Sequence, residues 1–300
     1  MAGAYVNGYY SLVLDGFDCG IVSKVGGGGI SAEVVKFAQS TEYLERKHLG
    51  NLKYEGFDIS CGLAMGEPLK AWIQQTLDAA HTKKNGSLQS MNFNREVVQE
   101  REFMNALITE VGFPKLDASS KEPGQLTVKW QPEYIRAKKG GKDKVTKPVK
   151  GNQKQFKPEN FRITLDGCDN ASKFVKTIDA LTIKQTTKTD DIGDARDYEL
   201  CGGKLEMPDL KITLAEAYAD ELVAWHENFV IMGKNTEADE KTFLIEYLDQ
   251  SRANVLLAIK GVGCGIHKLS ADAHTNNQDN IRVVTAEIYC EQITVESWAA

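Results

Sequence analysis

Gly26 to Gly29 form a run of four glycines, backbone of the kind that can wrap a phosphate. A phosphate loop also needs a Lys-Ser/Thr pair behind it, and GxGxxG needs a strand–turn–helix frame. The stretch SKVGGGGISAEVV offers neither, so a mobile loop is the expected role. Cys264 and His267, three apart beside a glycine turn, have the residue types of a thiol–imidazole pair. No second ligand pair with metal spacing accompanies them. His226 stands beside an apolar helical stripe and reads as a packed or edge histidine. The six cysteines (19, 61, 168, 201, 264, 290) contain no CxxC pair, which argues against zinc. Buried, reduced thiols are the plain reading, and disulfides between subunits are the sharper alternative. No catalytic, cofactor-binding or metal-binding residue is expected, and no enzyme.

The elements that carry these residues are mostly strands. Phe161, Ile163 and Leu165 alternate with Arg162, Thr164 and Asp166, and Tyr10, Leu12 and Leu14 with Ser11, Val13 and Asp15. Leu126, Val128 and Trp130 alternate with Thr127, Lys129 and Gln131, and Val284, Ala286, Ile288 and Cys290 with Thr285, Glu287, Tyr289 and Glu291. Period-2 patterning buries one face of an antiparallel sheet and leaves the other wet. That wet face looks either at bulk solvent or into an aqueous channel. Asp15-Gly16 and Asp166-Gly167 read as hairpin turns, because glycine tolerates the positive φ required. Two helices stand out, one over 67–81 with Leu69, Trp72, Ile73 and Leu77 on one face and Pro68 in the first turn. The other covers 220–233, with Leu222, Trp225 and Phe229, and stops at Gly233.

These elements occur twice. Gly50-Asn51-Leu52 precedes Gly203-Lys204-Leu205 by 153, Leu69 and Trp72 precede Leu222 and Trp225 by the same amount, and Lys115-Leu116 precedes Lys268-Leu269 likewise. At that offset Cys264 and His267 fall on Val111 and Pro114. SLVLDG (11–16) answers RITLDG (162–167) at 151. A register held across strand, helix and loop reads as internal duplication, with a first domain over 1–136, a connector over 137–159 and a second domain over 160–300. The stretch 136–159 holds nine Lys/Arg and two Asp/Glu, leaving 36 − 9 = 27 basic against 42 − 2 = 40 acidic residues elsewhere. Poor in apolar residues, the connector is expected to be an exposed, solvated linker, with an acidic partner or nucleic acid as the alternative contact. No run of 18 apolar residues appears, so no stable membrane insertion is expected. The opening MAGAYVNGYYS has no charged and apolar leader pattern, so secretion by a signal peptide is not expected.

In order, each half resembles the tail tube proteins of contractile phage tails, relatives of type VI secretion and extracellular injection-system tubes. The likeness lies in Leu14–Gly16, Gly50–Cys61, Leu69–Trp72, Gly112–Ala118 and Leu126–Glu133, and again in Leu165–Gly167, Gly203–Leu214, Leu222–Trp225, Gly265–Ala271 and Ile281–Glu291. It implies a mainly β (α+β) fold of two tandem β-barrel or sandwich domains, each with one helix packed on its sheet. It further implies a structural subunit in the virion tail, assembled in the bacterial cytoplasm. Such subunits form stacked rings of six tube domains, as trimers of tandem chains or as hexamers. A sheath protein and a baseplate hub are the implied partners, with DNA or cargo passing through the bore. An acidic lining would let a polyanion slide past without sticking. A baseplate hub or tube initiator, and a tandem β ligand-binding module, are the other readings.

Overall fold

Where apolar and polar residues alternate, the chain forms strands, and the apolar set supplies the buried face, except that Ser11 is buried as well and Tyr10 and Phe161 are half-buried. Leu12 and Leu14, Ile163 and Leu165, Leu126, Val128 and Trp130, and Val284, Ala286, Ile288 and Cys290 all lie in the core. The computed structural model describes residues 8–37, 45–140, 156–193, 197–271 and 281–299. In chain order the first half contributes β1 (Tyr9–Leu14), β2 (Phe17–Val22), β3 (Lys24–Gly27), β4 (Ile30–Phe37), β5 (Arg46–Tyr54), β6 (Phe57–Cys61) and α1 (Glu67–Leu77). It continues with β7 (Lys84–Met91), β8 (Val97–Phe113), β9 (Leu116–Asp117), β10 (Leu126–Gln131) and β11 (Tyr134–Lys139). The second half gives β12 (Phe161–Leu165), α2 (Asp169–Lys173), β13 (Val175–Ile178), β14 (Leu181–Asp190), β15 (Glu199–Glu206) and β16 (Leu210–Ala215). Then come α3 (Asp220–His226), a π turn (Glu227–Ile231), β17 (Lys241–Leu248), β18 (Val255–Ala271) and β19 (Val283–Trp298). Among the described residues no helix is long and apolar enough to cross a membrane.

Two sheets follow the same path. One runs β2-β1-β7-β8-β10-β6-β3 and the other β12-β17-β18-β19-β16-β13-β9, so β1, β7, β8, β10, β6 and β3 match β12, β17, β18, β19, β16 and β13. Matched by their pairings, the halves do not keep one offset. Val128 faces both Ile59 and Val111, while Ala286 faces both Ile212 and Leu269. The step is therefore 153 for β6 and β16 (59 to 212) and 158 for β8 and β18 (111 to 269). The Lys-Leu identity at 153 is thus not a structural equivalence, because Lys268 occupies the place of Glu110. Ladder pairing, unlike a two-letter match, fixes register on every neighbouring strand at once. By the same step Cys264 and His267 answer Ala106 and Thr109, and not Val111 and Pro114.

Other expectations need correction. Asp15-Gly16 does close the β1–β2 hairpin, with φ of 48° and 84°. Asp166-Gly167 also turns, but the chain then enters α2, so no hairpin forms and the second half carries an extra helix. Gly26 and Gly27 belong to β3 rather than to a loop. Gly27 has φ +74°, and a Cβ there would stand 1.9 Å from the Gly56 carbonyl oxygen, while one at Gly28 would meet the Phe57 ring at 2.3 Å. Glycine is needed for this close crossing, not for an anion. The first helix ends at Leu77, short of residue 81, and the second runs through its π turn to Ile231, with Met232 as C-cap and Gly233 (φ +68°) just beyond. Of the basic connector, Ala137 to Lys139 extend β11 along β8, and Phe156 is buried against Tyr247. Residues 141–155 lie outside those described.

Candidate functional site

Sequence singled out Cys264 and His267, and the structure separates them. Cys264 is buried 3.6 Å from Cys290 across the β18–β19 ladder, whereas His267 is exposed beside Asp209 at 3.1 Å. Asp209, His267 and Glu287 do cluster, but Glu287 is held by Lys268 at 2.7 Å and Lys211 at 3.2 Å. Cys19, Cys61, Cys168, Cys264 and Cys290 are buried and Cys201 is exposed. Burial pushes the Cys19 and Cys61 thiols up to about 12 and Cys168 up to about 11, which keeps them from acting as thiolates. His226 lies half-buried on α3.

The side chains that do converge lie at a seam between the halves. β14 pairs with the far end of β8, with Leu181 opposite Phe113, Thr182 opposite Gly112, Ile183 opposite Val111 and Lys184 opposite Glu110. β9 of the first half caps β13 of the second, Asp117 facing Thr177 and Leu116 facing Ile178. The second half thus adds its β14–β15 hairpin to the first half's sheet edge to edge. Ile183, Leu181, Val111 and Phe113 are all buried by this pairing.

A polar cluster locks the base of that hairpin. Pro132 cannot donate to a ladder, and it interrupts the closing strand between β10 and β11. Glu133, just behind the break, is only 7 % exposed. Its carboxylate accepts hydrogen bonds from Lys83 Nζ (2.7 Å), Asn105 Nδ2 (2.5 Å) and the Leu200 N–H of β15 (2.9 Å). Lys83 also reaches Glu199 at 3.7 Å. Gln131 donates to the Tyr198 hydroxyl (2.8 Å), which donates to the Pro132 carbonyl (3.0 Å). Asp197 accepts from Tyr54 and from Arg136. Further along the seam, the Trp298 indole donates to the Leu63 carbonyl (2.8 Å), and Lys70 of α1 reaches the Ala299 carbonyl. These groups hold one half against the other. Sequence reading did not find them, although the Pro132-Glu133 break in an otherwise alternating strand was a usable signal.

Burial alone would raise the Glu133 pKa, but the bonds from Lys83, Leu200 and Asn105 outweigh it and hold the carboxyl below its ordinary value of 4.5. A depressed folded-state pKa stabilises above the unfolded value, and that stability is lost as pH falls through the folded one. The Leu200 amide is therefore expected to lose hydrogen-exchange protection as pH drops below 4.5, with Glu133→Gln flattening the dependence. Unchanged protection through acid pH would contradict this account of the seam.

A family model, T4-like virus tail tube protein gp19, matches residues 6–136. The first half is thus similar to the tail tube family. Among solved structures, a chain of the anti-feeding prophage baseplate is 16 % identical with a TM-score of 0.42, covering 46 % of this chain and 98 % of its own. A chain of the extended sheath–tube complex of the PVC extracellular contractile injection system is 15 % identical (TM-score 0.40; 45 % and 92 %). A type six secretion system protein is 16 % identical (TM-score 0.30; 45 % and 81 %). A search of curated proteins finds no match. The tail tube match and each of these three likenesses span under half of this chain.

Proposed function

We propose that this chain is a tandem tail tube subunit, two duplicated tube domains (1–136 and 160–300) joined by the basic connector 137–159. The observation that supports this reading is the β14–β8 ladder, through which a hairpin of the second half pairs with the sheet of the first; such edge pairing favours halves that lie side by side over halves that stack. Three such chains then supply six tube domains to one ring, and rings stack into a tube within the virion tail. The sheath surrounds that tube and the baseplate hub receives it. DNA or cargo passes along the wet sheet faces. Those faces carry mutually paired charges, among them Lys129–Glu110 (2.8 Å), Lys211–Glu287 (3.2 Å) and Arg162–Glu246. A wall of neutralised pairs offers a polyanion little to bind, a different route to sliding from a uniformly acidic lining.

Electron microscopy without imposed symmetry tests the assembly. The expected ring holds three chains, 3 × 33.2 = 99.6 kDa, with two domain types alternating at one level. Six identical domains at one level would overturn the side-by-side arrangement, and a lone cap that never stacks would favour the hub reading.

A further inference from the structure

We propose that the β4–β5 hairpin of the first half, which pairs with no third strand among the described residues, docks on the open edge of β18 in a second copy of this chain, reproducing between molecules the β14–β15 on β8 contact seen within one. The inference rests on the ring reading above and names the surface that would close the ring.

The two hairpins are built alike. β4 pairs with β5 and β14 with β15 at a constant step of 153, with the same irregularity between Ala32 and Val34 as between Gln185 and Thr187. Their surroundings differ. β14–β15 lies on β8, whereas β4–β5 forms a two-stranded sheet of its own. Ile183 is 2 % exposed and its counterpart Ile30 is 49 % exposed. Val34, Val35, Phe37 and Leu49 on the same ribbon are exposed as well. An isolated two-stranded hairpin is marginal in water, and a bare apolar edge invites a further strand. The receiving edge is open too, since β17 pairs with β18 only as far as Cys264 and leaves Lys268 to Ala271 bonded to β19 alone among the described residues. Transposing the internal contact by 153 on the hairpin and 158 on the receiving strand sets Ile30 opposite Leu269 and Ser31 opposite Lys268.

Charge fits the same transposition. Lys83, which pairs with Glu199 and Glu133 inside the chain, corresponds to Glu240 through the β7–β17 match (84 to 241), and Glu133 corresponds to Glu291. The second half therefore offers two carboxylates where the first half has a cation and a carboxylate. Both lie near the Tyr289 hydroxyl, which donates to Glu240 at 2.7 Å. Burial, then Glu240 and Glu291, push that hydroxyl up to about 12. Among the described residues no lysine or arginine pairs with Glu240 or Glu291, and Glu291 is exposed where Glu133 is buried. On the hairpin, Glu199 and Leu200 correspond to Arg46 and Lys47. The Lys83–Glu199 pair thus returns with its signs exchanged, as Glu240 facing Arg46, and the Lys47 N–H takes the place of the Leu200 N–H at Glu291. Exchanged signs also discriminate. The first half's basic hairpin base suits the second half's acidic edge and would meet Lys83 at the first half's own.

Cysteine crosslinking in full-length protein tests this, in a Cys201→Ser background. Residues directly opposite on paired strands have Cα atoms about 4.5–5.5 Å apart, within disulfide reach. Ile30→Cys chains mixed with Leu269→Cys chains and oxidised with diamide are expected to give a covalent dimer of 2 × 33.2 = 66.4 kDa, absent from either chain alone. Separately, Glu240→Lys is expected to raise the protein concentration needed for assembly roughly fivefold or more, and adding Arg46→Glu to restore it. Rings visible by microscopy with no crosslink and no charge rescue would overturn the contact while leaving the ring. A crosslink without rings would uphold the contact and overturn the ring, and neither would overturn both.

Discussion

Trp72→Ala is expected to lower stability by about 3–5 kcal/mol, the largest loss from any single truncation on the helices. Trp72 is fully buried on α1, its ring tilted against Trp130 at 6.0 Å. Trp130 in turn stacks on Phe57 at 5.3 Å and meets Phe103 at 5.3 Å, so one truncation opens a cavity against a cluster of three remaining aromatic rings. The indole also donates to the Thr82 carbonyl at 2.9 Å, tying the end of α1 to the approach to β7. Its counterpart Trp225 is a weaker anchor. It is 7 % exposed, its indole nitrogen has no partner, and Lys241 covers its ring at 5.4 Å. Trp225→Ala should therefore cost about 3 kcal/mol, at the low end for such changes. Denaturant unfolding of both variants checks the order. Equal losses, or a wild-type midpoint for Trp72→Ala, would contradict the packing.

Ile183→Asp should separate the halves without unfolding either sheet's centre. Ile183 sits opposite Val111 in the seam ladder and is buried by it. Deleting a buried isoleucine costs about 2–5 kcal/mol, and an unpaired carboxylate in its place adds a desolvation cost. The expected result is early proteolysis within β14–β15, lost Leu200 amide protection and no tube assembly. Ile30→Asp, the matched change on the β4–β5 hairpin, should leave the monomer's stability within about 0.5 kcal/mol, as exposed sites usually do. It should nonetheless block assembly. If both variants assembled normally, edge pairing would not be what joins these domains.

The sequence by itself determined the buried face of most strands, because a period-2 strand has only two faces and one must leave water; Ser11 of β1, a polar position that is buried, is an exception. It also located both helices, since Leu69, Trp72, Leu222 and Trp225 keep their spacing whatever the loops between them do. It did not determine register. The step from first half to second rises from 153 to 158 between β6 and β8, and only backbone pairing across strands shows where the extra residues went. Nor could it tell Asp15-Gly16, which closes a hairpin, from Asp166-Gly167, which opens into a helix, because the turn is local and the partner strand is not. The seam belonged wholly to tertiary structure. Lys83, Glu133 and the Tyr198–Leu200 stretch are distant along the chain, and apart from the Pro132-Glu133 break no pattern within any one stretch marks them. They meet because a sheet edge left bare by β7 is long enough to accept β14, a fact that exists only once β8 has been paired.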